Sequence, residues 1–113
     1  MNNYFTESEL KCKCCWKLII DQDFLNRLNR AREIAGFPFN VNSGYRCKNH
    51  NRAVGSTSIN HEIGKAADIK CSDSLDRYLM VAAMIQAGIL GIGIGKTFVH
   101  GDTNRTTPCI WTY

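Results

Sequence analysis

Two stretches of helical periodicity, each closed by a glycine and each followed by strand-like segments, constrain this chain most strongly, because helices and strands must then share one small core. Phe24, Leu25, Leu28, Ala31, Ile34 and Ala35 recur at the spacing of one helix face after Asp21 and Asp23, with Gly36 as the stop and Pro38 beyond it. Phe39 and Val41 alternate with Asn40 and Asn42, which predicts a short strand ending at Ser43-Gly44. A loop is expected from Tyr45 to about Lys65. Ala66 to Lys70 then reads as a second strand, and Ser72-Asp73 offers an N-cap and a first-turn acid for a second helix. Leu75, Tyr78, Leu79, Ala82 and Ile85 form an apolar stripe ahead of Gly88, which is expected to be that helix's core face.

The C-terminal third contains Gly91-Ile92-Gly93-Ile94-Gly95, then Lys96-Thr97, then Phe98-Val99-His100-Gly101-Asp102, which predicts a hairpin. The glycines lack the spacing and the following helix of a phosphate-binding loop. Their alternation with isoleucine fits a strand closely approached by another backbone. Side chains alternate faces along a strand, so His100 and Asp102 should point the same way.

At 113 residues the chain is expected to form a single domain over residues 1–113, with one core carrying both fold and site. An apolar fraction of 44% and a charged fraction of 21% are ordinary for a globular protein and exclude a disordered one. No apolar run reaches the roughly 18 residues needed to cross a bilayer. The N-terminal segment carries Glu7 and Glu9 where a secretory leader would be basic and then apolar. The expectation is therefore a soluble protein, a monomer without membrane insertion, made in the cytoplasm. A substrate outside the cell would be reached after export or lysis, or from within a phage particle.

The net charge of +4 is unevenly spread: between Arg27 and Arg52 lie six basic residues, Arg27, Arg30, Arg32, Arg46, Lys48 and Arg52, against the single acid Glu33. That balance suits an anionic polymer, either a cell wall or nucleic acid, although the first three arginines read as a solvated helix face and nothing else supports nucleic acid. Of the six cysteines, Cys12 and Cys15 make one Cys-x-x-Cys pair, Cys14 lies between them, and Cys47, Cys71 and Cys109 stand alone. A zinc ribbon needs a second such pair, so the cysteines are expected to be buried thiols.

Nitrogen donors are few: His50, His61 and His100 are the only histidines. His61 precedes Asp68 by seven residues, with Gly64 permitting a sharp turn that would bring imidazole and carboxylate to one metal. His61-Glu62 begins a His-Glu-x-x-His pattern, but Lys65 fills the second histidine position, which removes the helical zinc-protease reading.

Ser43-Gly44-Tyr45-Arg46-Cys47 with His50-Asn51, His61 with Gly64-Lys65-Ala66-Ala67-Asp68-Ile69, and Phe98-Val99-His100-Gly101-Asp102 follow one another in an order that resembles the zinc D-alanyl-D-alanine carboxypeptidase family. That family includes L-alanyl-D-glutamate endopeptidases of phage endolysins. The likeness spans about residues 5 to 105. It implies an α+β, hedgehog-like zinc peptidase fold, with a small antiparallel sheet and helices packed on one side. It also implies one Zn2+ ion held by His61, Asp68 and His100, and a peptidoglycan stem peptide as partner.

By the same resemblance Arg46 matches the arginine that steadies the substrate's carbonyl or carboxylate, a role suited to a planar guanidinium. The best-known members carry an acid three residues before the last ligand, where this chain has Thr97. Asp102 is then the candidate general base, or else a residue that orients the imidazole of His100. Tyr45 and Ser58 are candidate substrate contacts, and Trp16 and Trp111 read as packing residues. Two functions follow: a peptidase of peptidoglycan stem peptides, of D-Ala-D-Ala carboxypeptidase or L-Ala-D-Glu endopeptidase type, or a zinc-stabilised peptidoglycan-binding or phage structural module with weak or no catalysis.

Overall fold

Local capping chemistry fixes where each helix begins and ends in the computed structural model, which describes residues 3–113. Thr6 and Glu9 form a reciprocal capping box at the start of α1 (Glu7–Leu10). Asp21 accepts from the Phe24 N–H at the start of α2 (Gln22–Ala35), and Asp73 accepts from the Asp76 N–H at the start of α4 (Ser74–Ala87). Gly36 and Gly88 close these two helices in the left-handed region, with φ of 79° and 87°, where a side chain would be strained.

The expected loop after Tyr45 contains a helix, α3 (Lys48–Ala53), capped by the Cys47 sulfur, which accepts from the His50 N–H. Lys-Asn-His-Asn-Arg-Ala carries no apolar stripe, so periodicity gave no signal for it. Its hold comes instead from Asn51, buried, whose side chain accepts from Arg46 and donates to the Ser58 carbonyl and to Glu62.

The strands are β1 (Val41–Ser43), β2 (Ala66–Lys70), β3 (Gly91–Ile94), β4 (Phe98–Asp102) and β5 (Cys109–Thr112), in sheet order β1-β2-β4-β3-β5. The first four pair antiparallel, as expected. The edge strand β5 adds itself parallel to β3 and makes the sheet mixed. The α+β class therefore stands, with one strand more than the sequence suggested.

Alternation along the strands gives the sheet two unlike faces. Ala67 and Ile69 of β2, Ile92 of β3 and Val99 of β4 are buried in the hydrophobic core with Phe24 and Leu28 of α2 and Met80 and Met84 of α4. The opposite set carries the polar chemistry. In register it runs Asp68 beside His100, His100 beside Gly93, and Gly93 beside Trp111. A Cβ on Gly93 would lie 2.8 Å from the Trp111 indole nitrogen, so this glycine clears space for a side chain rather than for the neighbouring backbone that its pattern suggested.

The core face of α4 differs from the expected one. Leu75, Tyr78 and Ile85 are 64%, 73% and 55% exposed, whereas Met80, Ala83, Met84 and Ala87 are buried. Both sets recur at helical spacing, because this helix is apolar on two sides, and only docking against α2 and the sheet selects between them. Truncation should separate the two faces in chemical denaturation. Met84→Ala is expected to cost about 2–5 kcal/mol, while Leu75→Ala should stay within about 0.5 kcal/mol of the parent. The reverse ranking would contradict this orientation.

Candidate metal centre

His61 lies in the segment between α3 and β2, Asp68 in the middle of β2 and His100 opposite it on β4. His61 Nε2 sits 3.4 Å from Asp68 Oδ1, and His100 Nδ1 sits 2.9 Å from the same oxygen. One donor atom from each of the three residues lies within 4.8 Å of the other two. The two imidazoles are buried and their ring centroids are 5.4 Å apart.

The remaining ring nitrogens fix which atoms carry protons. His61 Nδ1 lies 2.7 Å from the Gly44 carbonyl, which can only accept, so Nδ1 must donate and the neutral ring leaves Nε2 bare. His100 has a carboxylate at each ring nitrogen, Asp102 Oδ2 at 2.8 Å from Nε2 and Asp68 Oδ1 at 2.9 Å from Nδ1; when the neutral ring donates from Nε2 to Asp102, Nδ1 is left bare. In that neutral form two bare nitrogens face one carboxylate oxygen. Three lone-pair donors at such distances repel unless a proton or a cation lies among them.

Two neutral imidazole nitrogens and a carboxylate oxygen suit zinc, and three protein ligands are the number that leaves one position for water in catalytic zinc sites. Hydrogen bonds donated by the outer ring N–H groups to a carbonyl and a carboxylate are the usual support for metal-bound histidines. The residues therefore fit a zinc ion on their own chemistry.

Asp102 is wholly buried and heavily used. Arg105 donates from Nε to Oδ1 at 2.8 Å and from Nη2 to Oδ2 at 2.7 Å, Asn60 donates to Oδ2 at 3.2 Å, and His100 Nε2 takes the same oxygen. Oδ1 also packs against Gly91, where a Cβ would come within 2.5 Å of it. Asp102 does share the face of His100, as strand alternation predicted. Both of its oxygens are thus taken by donors of neighbouring side chains.

Arg46 donates from Nη2 to Asp68 Oδ2 at 2.9 Å, from Nε to Ser43 Oγ at 2.8 Å and from Nη1 to Asn51 Oδ1 at 3.1 Å. Five N–H groups serve three bonds, so each terminal nitrogen keeps one donor for another partner. Arg46, Ser58, Asn60, His61, Asp68, His100 and Asp102 line a cleft of about 610 Å³, within the size range of small-molecule sites. Tyr45 does not line it: this residue is buried, its N–H donates to the Leu10 carbonyl, and its hydroxyl lies in the field of Cys15, Cys47 and Cys12. Tyr45, expected as a substrate contact, is thus placed outside the cleft lining. Thr97 is exposed in the turn between β3 and β4, where its carbonyl accepts from the Cys71 N–H.

Sequence reasoning missed Arg105, Asn60, Trp111 and Tyr113, all of which line the cleft. Trp111, expected only to pack, stands with its ring centroid 5.5 Å from that of His100 and under the Arg105 guanidinium. The alternation of Trp111 and Tyr113 was the available signal, a strand face at the C-terminus.

Charge follows from this packing. Burial alone would raise the Asp68 and Asp102 carboxyls, but hydrogen bonds to His100, with His61 at Asp68 and Arg105 at Asp102, outweigh it and hold both below their ordinary values. Burial alone would likewise lower His100, and its bonds to Asp102 and Asp68 reverse that and raise it.

A family model described as Peptidase M15 matches residues 3–102, a span that contains His61, Asp68, His100, Arg46 and Asp102. No curated protein matches the chain.

The signs of these shifts predict how the metal-free chain responds to pH. Depressed carboxyls stabilise the fold above about pH 4 and lose that contribution as pH falls through their folded values. A raised histidine contributes fully below about pH 6.5 and loses its contribution as pH rises through its folded value. Thermal melts of metal-free protein should therefore decline as pH rises above about 6.5, and His100→Gln should flatten that decline. An undiminished decline in the variant would contradict the assignment.

Proposed function

The chain belongs to the Peptidase M15 family of zinc-dependent peptidases, and from that membership we propose that it hydrolyses peptide bonds in the stem peptides of bacterial peptidoglycan. The observation that carries the reading is the convergence of two imidazole nitrogens and a carboxylate oxygen in one cleft. His61, Asp68 and His100 would hold the ion. When bound, zinc supplies a Lewis acid that polarises a carbonyl and brings the pKa of water down to about 7.

The chain's own groups do the rest. Arg46, steadied by Ser43, Asn51 and Asp68, has two N–H groups left to take a substrate carbonyl or carboxylate and to stabilise charge growing on that oxygen. Ser58 stands on the rim as a donor or acceptor for the peptide backbone, and Trp111 and Tyr113 supply an apolar wall for short side chains. Asp102 is a positioning residue, holding His100 with its bare nitrogen toward Asp68 while Arg105 keeps the carboxylate ionised. D-Ala-D-Ala carboxypeptidase and L-Ala-D-Glu endopeptidase action are both compatible with this cleft. The substrate lies outside the cytoplasm, so the protein would meet it after export or lysis, or from within a phage particle.

One observation favours a second reading. Among the residues lining the cleft the only carboxylates are Asp68 and Asp102, and Asp102 is boxed in by four donors and Gly91. With Thr97 where the best-known relatives carry an acid, a module that holds zinc and stem peptides but turns them over slowly would have this same site.

Purified protein loaded with zinc is expected to release new amino or carboxyl termini from peptidoglycan, and His61→Ala to release none. Retention on peptidoglycan without any release would establish the second reading. For Asp102→Asn, a positioning role predicts zinc affinity weakened about 10–100-fold, with turnover recovering at saturating zinc. A fall of about 100-fold or more in kcat that persists at saturating zinc would make Asp102 the base instead.

A further inference from the structure

Away from the cleft, three thiols from two distant parts of the chain meet. One donor atom each from Cys12, Cys15 and Cys47 lies within 4.8 Å of the other two. We propose that Cys12, Cys15 and Cys47, with Cys14 completing the set, hold a second, structural metal ion of the thiolate-seeking class, zinc foremost.

The backbone around these residues is arranged for such an ion. Residues 12–17 close into a tight turn, in which the Trp16 N–H donates to the Cys12 carbonyl at 3.0 Å and the Cys12 N–H donates to the Lys17 carbonyl at 2.8 Å. The turn puts Trp16 in the left-handed region, with φ of 63°, although its side chain is mostly exposed and gains little packing there. From the other side the Cys47 N–H donates to Cys12 Sγ at 3.4 Å, and Cys47 Sγ itself accepts from the His50 N–H at 3.4 Å. N–H groups aimed at sulfur stabilise a thiolate, the form that binds metal. Burial alone would raise the Cys12 thiol, yet the backbone N–H groups of Cys47, Cys15 and Cys14 outweigh it and bring the pKa down to about 7.

Stoichiometry favours an ion over a disulfide. All six cysteines are free thiols, and a disulfide within the cluster would consume two sulfurs and strand the third. A tetrahedral ion uses all three and takes a fourth, and Cys14, exposed and close enough to Cys47 for their charges to interact, is placed to supply it. With Zn–S bonds of about 2.3 Å, tetrahedral sulfurs lie roughly 3.8 Å apart, so the observed cluster needs only a small contraction. Lys11, Lys13, Lys17 and Lys48 flank the ligands in sequence and offset their negative charge.

Such an ion would tie the N-terminal segment to the stretch that begins α3. That stretch supplies Arg46 to the cleft, and the Gly44 carbonyl that orients His61 lies just before it. This places the thiol site in support of the first centre without sharing any ligand with it.

Titrating the reduced, metal-free full chain with Co2+ tests the proposal. A second equivalent of Co2+ should bind with intense sulfur-to-metal charge-transfer absorption in the near ultraviolet, which nitrogen and oxygen ligands do not give. That band should survive His61→Ala and be lost in Cys15→Ser and in Cys47→Ser. The wild-type spectrum decides the matter even where a cysteine variant folds poorly. A reduced wild-type chain that takes up one equivalent without charge transfer would overturn the proposal. So would freshly purified protein in which peptide mapping finds a disulfide between two of Cys12, Cys15 and Cys47.

Discussion

The mutual repulsion of three lone pairs governs the architecture of this protein's cleft. His61 Nε2, His100 Nδ1 and Asp68 Oδ1 face one another because the outer nitrogens of both rings are already committed, one to the Gly44 carbonyl and one to Asp102. His61 cannot turn its proton inward without losing its buried hydrogen bond to the Gly44 carbonyl, a loss of about 1–3 kcal/mol for a group left unpaired, whereas His100 meets a carboxylate at each ring nitrogen. The arrangement is stable only with positive charge at its centre. A proton on His100, whose pKa is raised against the effect of burial by Asp102 and Asp68, or a divalent ion would supply that charge.

The sheet explains how so small a chain can hold this arrangement still. One face is given to the core through Ile69, Val99 and Ile92, and the other carries the row Asp68, His100, Gly93 and Trp111 across four strands. Each ligand on a strand is therefore backed by a buried aliphatic neighbour one residue away. The bulky indole fits into this row only because position 93 has no side chain, and it closes the cleft beside His100. Arg105 then stacks over the indole and grips Asp102 with two hydrogen bonds, so the edge strand β5 and the strand β4 that carries His100 are tied through one guanidinium.

Much of this was legible in the residues themselves. The Ala66–Lys70 strand, the β3–β4 hairpin and the Gly36-capped helix appear where alternation, glycine and capping acids placed them. His61, Asp68 and His100 were legible as a set only through the resemblance, since their meeting depends on strand register that no local pattern encodes. Other features left weaker traces. Helix α3 is held by the polar hub Asn51, which leaves no periodicity. Helix α4 is apolar on two sides, so its buried face depends on what docks against it. The thiol cluster joins Cys47 to a turn that precedes it by 32 residues or more, and a search for a second Cys-x-x-Cys pair passes over it.

The central claim concerns individual nitrogen atoms, and nitrogen-15 NMR of the histidine rings measures them most directly. Zinc added to metal-free protein should shift His61 Nε2 and His100 Nδ1 to the range of metal-bound nitrogens, while His61 Nδ1 and His100 Nε2 keep their protons throughout. Binding through the opposite nitrogen of either ring, or ring signals unmoved by zinc, would contradict the account.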